Sequence, residues 1–446
     1  MPTPTAPVRI AHLSDLHLTE GPRLEDQAED LERVATAILA AKPHLILLTG
    51  DYYGRTVPHR PSPRERAVLE PWIVKFAEVA PVVVLEGNHD HGEALDLASL
   101  LGGAYPIRVV RGAEAFTVHT EAGPVQVYGL AYPSKRWLVA QAGALGLLEA
   151  QDATSGALGA ILRGWATKIA RQRQRHPEIP IVAVAHATIR GSVLAGGEVM
   201  DGQEVEIAPE LLTGLAVDYG ALGHIHQRQE LSPRWWYVGD PWPVDFGERG
   251  DKGWHLAKIR ADTHDPAAVQ VYNPGGGLHS LALEFRSSGA RPWITLDYRW
   301  ALDETTGEGR WFRYPTPAEL AAIAGDELGR VAGRTENGAN VRARLVVPDQ
   351  AVAGCPWAAE VQRLQELGAH RLQVERTIEP TMRIRAPEVA AAVDLPGKAG
   401  AYWSTLATRP TDLELDAALG ALGELEALDD DQIDALTAEL LASVGL

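Results

Sequence analysis

His12-Leu13-Ser14-Asp15-Leu16-His17-Leu18 and Gly87-Asn88-His89-Asp90, with Gly50-Asp51 between them and Gly223-His224-Ile225-His226 far downstream, decide the reading of this chain. Each block follows an apolar, β-prone run: Val8 to Leu13, Leu45 to Leu48, Val82 to Leu85 and Tyr219 to Leu222, with a fifth run, Ile181 to Val184, before His186. Every candidate ligand is therefore expected at the carboxyl end of a buried strand. Open α/β sheets hold their reactive crevice at that edge, where loops point several side chains into one space. A single Asp-x-His would say little. Five strand-end blocks along one chain converge on a centre for two metal ions.

The residue types fit that chemistry. Asp and His offer oxygen and nitrogen donors suited to manganese, iron, zinc or magnesium, and a chain whose one cysteine is Cys355 offers no thiolate-rich site. Strand side chains alternate, so Asp15 and His17, two apart, are expected to face the same way and clasp one ion; His224 and His226 repeat the spacing. Asp51, with two carboxylate oxygens, is expected to bridge two ions roughly 3.5 to 4 Å apart. Asn88 adds a neutral oxygen and His186 a nitrogen. Two anionic ligands against two divalent cations leave the centre positive, and it draws a phosphate.

These blocks resemble the motifs of the calcineurin-like metallophosphoesterase superfamily over roughly residues 8 to 260. Tyr219-Gly220-Ala221-Leu222-Gly223-His224-Ile225-His226, followed by Tyr237-Val238-Gly239-Asp240-Pro241-Trp242-Pro243-Val244-Asp245-Phe246-Gly247-Glu248, is more narrowly similar to the SbcD-type DNA repair nucleases, partners of long coiled-coil ATPases. The resemblance implies one metal on Asp15, His17, Asp51 and His226 and another on Asp51, Asn88, His186 and His224, with manganese first among the candidate ions. It implies that His89 faces the scissile phosphate and protonates the leaving oxygen, with Asp90 holding its ring. It also implies DNA as substrate, an SbcC-like ATPase partner and a homodimer. Two positions depart from the pattern. Where these nucleases usually carry a His or Asp three residues after the Gly-Asp aspartate, Gly54 stands here, which leaves the exonuclease–endonuclease balance open. After Gly239, where a small neutral residue is usual, stands Asp240, either a second rank of the site or a solvated acid.

Other residues have plainer readings. His44, His59, His119, His176, His255, His264, His279 and His370 are taken as surface or core residues, His12 as packed under the first strand, and His91 as a neighbour of the site. Trp235, Trp236 and Trp242 are core packing or a base-stacking platform. Arg163, Lys168, Arg171, Arg173 and Arg175 on one helix are a solvated face or phosphate contacts.

At 446 residues and 46% hydrophobic composition the chain should form two or three domains. A lone cysteine suits a reducing cytoplasm, Met1 to Pro7 lacks the basic and apolar regions of a signal peptide, and no apolar run nears the roughly 20 residues that span a bilayer. A cytoplasmic protein without a membrane segment is expected. The net charge of −18 opposes DNA binding, which draws on Lys and Arg. Ten acids and no bases lie between Pro410 and Leu446, however, so the preceding residues carry −18 + 10 = −8.

The expected architecture is α/β: a two-sheet metallophosphoesterase sandwich flanked by helices over residues 1–290, a small α+β cap domain that shapes DNA access over 291–386, and a helical partner-docking segment over 387–446. Leu24 to Ala41 reads as a helix ended by Pro43, and later strands at Trp254 to Ile259, Val269 to Tyr272 and His279 to Leu283 as antiparallel. Thr316-Pro317-Ala318-Glu319 is a capping box that opens a helix before strands at Val341 to Val347 and Arg371 to Glu375. In the tail, Ile433, Leu436, Leu440 and Val444 line one stripe and Leu415, Leu419 and Leu422 another, which invites a partner such as the coiled-coil base of an ATPase. No segment matches Gly-x-x-x-x-Gly-Lys-[Ser/Thr], so an ATPase must be a separate chain. Three functions are compatible with these features: a metal-dependent DNA nuclease, a phosphodiesterase or phosphatase for a small or protein substrate, and a DNA-end-binding scaffold with vestigial catalysis.

Overall fold

The structure, a computed structural model, describes residues 7–54, 59–146, 153–194, 205–248, 250–260, 279–302, 309–312, 338–366, 370–379, 393 and 395–404. The chain divides into two compact units, one of Met1–Arg299, Trp311–Leu345 and Pro356–Arg376, the other of Trp300–Arg310, Val346–Cys355 and Thr377–Leu446. The Val269 strand, the Thr316 helix and the two tail helices fall outside the described residues.

The larger unit is built on two six-stranded sheets. Four strands of the first are β1 (Val8–Leu13), β2 (Leu45–Leu48), β3 (Val82–Leu85) and β4 (Ile107–Val110). The second comprises β5 (Ala113–Thr120), β6 (Gly123–Leu130), β7 (Ile181–His186), β10 (Tyr219–Gly223), β11 (Gln229–Ser232) and β12 (Trp235–Tyr237), and within its span β8 (Thr188–Ile189) and β9 (Glu206–Ile207) form a separate parallel pair. The chain then returns to the first sheet with β13 (Gly253–Arg260) and β14 (Ser280–Ser287). The order is β14-β13-β1-β2-β3-β4 in one and β11-β12-β10-β7-β6-β5 in the other. β1 to β4 pair in parallel, and β13 runs antiparallel to both β1 and β14, as the helix-free spacing of the later strands predicted.

Strand alternation assembles the layers. Leu45, Leu47, Val83 and Leu85 point between the sheets, where they meet Val125, Val127, Val182, Val184 and Tyr219. Their neighbours Ile46, Leu48, Val82 and Val84 point outward onto α1 (Leu24–Ala40) and α2 (Pro63–Ala77), joined by Leu95 of α3 (Gly92–Leu100). Both faces are therefore buried, and the strands read as continuous apolar runs without visible alternation. α1 buries Leu24, Leu31, Val34, Ala35 and Ile38, one stripe at helical spacing. α2 begins with a capping box of Ser62 and Glu65 and with Pro63 in its first turn. α4 (Lys135–Ala144) and α5 (Ala153–Arg175) cover the second sheet through Leu138, Leu158, Leu162, Trp165 and Ile169.

Beyond the sandwich, β15 (Trp293–Leu302), β16 (Gly309–Phe312), β17 (Asn340–Pro348) and β18 (Arg371–Glu379) form a four-stranded sheet of order β16-β15-β17-β18. Its strands run slightly longer than the sequence suggests. Trp235 and Trp242 are core residues, each 2% exposed, which settles them as packing and not a stacking platform. Arg173 leaves the exposed α5 face: its Nη2 donates to Asp218 Oδ2 at 2.7 Å and to the Ala216 carbonyl at 3.0 Å. No helix among the described residues is long and apolar enough to cross a membrane.

Candidate metal centre

All seven proposed ligands lie at or just past strand ends, as expected, but the reason for the pairing of Asp15 with His17 differs. β1 stops at Leu13, and Asp15 and His17 stand beyond it with φ of 53° and 44°. Asp51 (φ 56°) and His224 (φ 96°) share this left-handed region, which side chains other than glycine rarely adopt. Loop geometry, not strand alternation, turns these residues to a common point. The loops are tied together: Asp15 N–H donates to the Gly50 carbonyl and His17 N–H to the Asp51 carbonyl, each at 3.0 Å. Two glycines are obligatory here. A Cβ on Gly50 would sit 2.4 Å from His186 Nδ1, and one on Gly87 would sit 2.1 Å from Asp51 Oδ1.

The centre forms around one oxygen. Asp51 Oδ1 accepts from the His89 backbone N–H at 2.9 Å, while Oδ2 lies 3.7 Å from His17 Nε2 on one side and 3.3 Å from His186 Nε2 on the other. On the first side His17 Nε2 and His226 Nε2 are 3.0 Å apart, with Asp15 in the same cluster. On the second side Asn88 Oδ1 is 2.9 Å from both His186 Nε2 and His224 Nδ1. Ligands about 2.1 Å from an ion and at right angles stand about 3 Å from each other, so the spacing fits two coordination shells that share Asp51.

The imidazoles are oriented from behind. A carbonyl only accepts, so His17 Nδ1, 2.6 Å from the Gly54 oxygen, and His186 Nδ1, 2.7 Å from the Thr49 oxygen, carry their hydrogens there, which turns both Nε2 atoms inward as the nitrogens that would bind an ion. His226 Nδ1 meets Glu248 Oε1 at 2.7 Å. Asp15 accepts from the His224 backbone N–H at 3.1 Å. Burial would raise the Asp51 carboxyl, but His186, His17 and His89 hold it well below the carboxylate range. His186, which burial alone would lower, is lifted to about 9 by Asp51, and His226 to about 9 by Glu248. Burial takes His17 down to about 3. Nitrogen and oxygen donors, buried and prearranged around an ionised carboxylate, suit divalent cations.

His89 Nε2 stands 4.0 Å from Asp51 Oδ2, its ring edge-on to His17 at 4.9 Å between centroids. Asp90 serves the loops: Oδ2 accepts from Asp51 N–H (2.9 Å) and Gly87 N–H (2.8 Å), and Oδ1 from Tyr52 N–H (2.9 Å). These bonds follow from Asp90 sitting on the loop whose backbone must meet the Gly50-Asp51 turn. Asp240 is fully buried in an ion pair with Lys252, whose Nζ also donates to Glu248 Oε2 at 2.9 Å. It closes a cluster with Lys252, Glu248 and His226, its own Oδ2 lying 3.9 Å from His226 Nδ1. At Gly54, a Cβ would fall 2.0 Å from His59 Cγ, so the His59 ring occupies the space of the missing side chain. His59 N–H donates to the His89 carbonyl at 2.7 Å, which makes it a neighbour of the site and not an isolated histidine.

Sequence reading missed Glu248, Lys252, His59 and Tyr132, the last with its ring 5.5 Å from that of His224. Glu248 was legible only as a motif letter, and the others carry no spacing that marks them.

A two-sheet sandwich with a two-centre histidine–carboxylate cluster at its strand ends defines a metallophosphoesterase. The chain belongs to the calcineurin-like phosphoesterase family, which matches residues 8–228. Members use divalent metals to hydrolyse phosphoesters, and the two clusters are the candidate ligands. The chain is 27% identical over 264 residues to the SbcD component of the nuclease SbcCD of Bacillus subtilis (strain 168), a match covering 54% of this chain. That match spans only 64% of the relative's length. Among solved structures, GAP50, the anchor in the inner membrane complex of Plasmodium, is similar with a TM-score of 0.39 and 12% identity, covering 70% of this chain and 90% of that one; a likeness so slight carries no argument.

Proposed function

We propose that the chain is a two-metal-dependent DNA nuclease, exonuclease and/or endonuclease, that processes DNA ends as one component of a complex with a coiled-coil ATPase. The observation that carries the reading is Asp51 Oδ2 standing between two histidine clusters, with the His89 ring beside it. The similarity to a nuclease component supports DNA as the substrate. Asp15, His17, Asp51 and His226 would hold one ion, and Asp51, Asn88, His186 and His224 the other, with manganese the first to test. When bound, such ions polarise phosphoryl oxygens and lower the pKa of an attacking water. His89 stabilises the charge that builds on phosphate and delivers a proton to the leaving oxygen. Glu248 and the Gly54 and Thr49 carbonyls keep the imidazoles in register. The domains divide as 1–290 for chemistry, 291–386 for DNA access and 387–446 for partner docking, with a homodimer as the working unit.

Net charge supports a second reading, a phosphodiesterase for a small or protein substrate, because −18 disfavours a polyanion. Manganese-dependent assays on linear duplex, circular single-stranded DNA and an aryl phosphodiester separate the two. Cleavage of the aryl ester alone would overturn the nuclease reading. An intact ligand set argues against a vestigial scaffold. Deleting residues 410–446 is expected to leave cleavage of short DNA intact and to abolish ATPase binding; pull-down by the truncated chain at full-length affinity would refute the docking role.

A further inference from the structure

A cavity of about 420 Å³ lies within the larger unit, at residues to which phosphoester chemistry assigns nothing. Its wall joins Arg23, just before α1, with Phe246, with Trp293 of β15, with Asn340 and Arg342 of β17, and with Arg371 of β18. We propose that this cavity binds one nucleotide unit of a nucleic-acid strand, its base against the aromatic pair and its phosphate among the arginines. The source of the nucleotide rests on the nuclease reading; the site itself does not.

Charge is the first support. The lining carries three arginines against one carboxylate, Asp245, in a chain of net charge −18. Each guanidinium has five N–H donors. Arg342 turns Nε and Nη2 to Thr295 Oγ1, at 3.3 and 3.1 Å, and Arg371 turns Nη2 to Asp26 Oδ2 at 3.3 Å. Those contacts position the forks and leave donor capacity for a phosphate.

The aromatic surface is the second. Phe246 and Trp293 pack with centroids 4.6 Å apart at 46°, the Arg23 guanidinium lies 4.2 Å over Trp293, and that of Arg342 lies 4.9 Å over Phe246. Alternating arginine and aromatic planes are what a nucleobase stacks on, whatever its identity.

A buried amide in the same wall is the third. Asn340 is 5% exposed, and its Oδ1 has no hydrogen-bond partner. An acceptor left unmade in a buried place is costly, and a base N–H would satisfy it. A bare phosphate offers it nothing.

The cavity is also mechanically joined to the metal centre. Val244 N–H donates to Glu248 Oε2 at 2.9 Å, and Glu248 Oε1 holds His226 Nδ1 at 2.7 Å. One carboxylate thus anchors both the cavity wall and a metal ligand, so a nucleotide seated here positions its strand relative to the reacting phosphate.

Calorimetric titration of the metal-loaded full chain tests this, with deoxyadenosine 5′-monophosphate, deoxyribose 5-phosphate, deoxyadenosine and a 5′-phosphorylated tetranucleotide as probes. Binding of mononucleotide and tetranucleotide is expected to persist in Asp51→Asn, where the metal centre is disabled, and to fall about tenfold in Arg342→Gln and in Phe246→Ala, the size of one lost stacked base. Arg342→Gln should raise KM for an oligonucleotide while leaving kcat on an aryl phosphodiester unchanged. Equal affinity for deoxyribose 5-phosphate would reduce the cavity to an anion site. Loss of all binding in Asp51→Asn, or unchanged binding in both cavity variants, would remove the site, and tight mononucleotide binding without tetranucleotide binding would exclude a strand. Nucleotide binding in a protein that cleaves no DNA would keep the site and sink the nuclease reading; DNA cleavage with no cavity effect would do the reverse.

Discussion

The two six-stranded sheets share one core yet contribute unlike chemistry. Loops of the first supply both carboxylates, Asp15 and Asp51, together with His17, Asn88 and the proposed proton donor His89; the second supplies only imidazoles, His186, His224 and His226. The first also bears most of the strain, with Asp15, His17 and Asp51 left-handed against His224 alone among the ligands of the second. Each such residue costs on the order of 1–3 kcal/mol, offset here by Asp90 and by the backbone bonds that lace the loops. The bridging, negatively charged part of the centre is thus held rigidly by one sheet, and the other closes over it with side chains steered from behind by Thr49 and Glu248.

Asp51→Asn is the sharpest way to break that contrast. One carboxylate serves both clusters, so elemental analysis should find both ions depleted, with phosphodiesterase turnover down by on the order of 1,000-fold or more. Loss of only one ion would mean the sheets hold their metals independently. His89→Ala should cost about 100- to 1,000-fold in kcat while both ions remain, because His89 acts on the reacting phosphate; depletion of metal in that variant would make it a ligand instead. Glu248→Gln reaches the second sheet alone. It should weaken one metal about 10- to 100-fold, measured by competition with a chelator, and leave the other in place.

The smallest effect concerns the seam between the sheets. His12 of the first sheet is bonded through Nδ1 to Tyr219 of the second at 2.8 Å and through Nε2 to Thr49 at 3.0 Å, and the Tyr219 hydroxyl lies 3.3 Å from His255 Nδ1. Burial drives His12 well below its ordinary value and His255 down to about 3. Both are neutral in the fold and take up protons on unfolding below about pH 6.5, so the unfolded chain binds more protons and stability falls with acidification. Each contributes a slope of at most about 1.4 kcal/mol per pH unit. His186 and His226, lifted to about 9, act with the opposite sign, so the seam is read by difference: from pH 7 to pH 5 the denaturant midpoint of the unaltered chain should fall relative to that of His255→Asn, and a constant difference between the two would mean His255 is charged or solvated in the fold.

Much of this was legible from residue order alone, since apolar runs ending in Asp, Asn or His specify both a strand and what stands at its tip. The sandwich, its antiparallel edge and the strand-end placement of the seven candidate ligands follow from that pattern and from the motif resemblance. Tertiary structure decided the rest. Asp15 and His17 share a direction through left-handed backbone, which no two-residue spacing encodes, and Asp90, Asp240 and Glu248 act through partners between 3 and 39 positions away in sequence. His59 fills the gap at Gly54, and Arg23, Phe246, Trp293, Asn340 and Arg342 share one cavity although they span more than 300 positions. Periodicity reports which side of an element faces the core. Which distant side chains meet at a point depends on how the loops and sheets pack, and that is settled only in three dimensions.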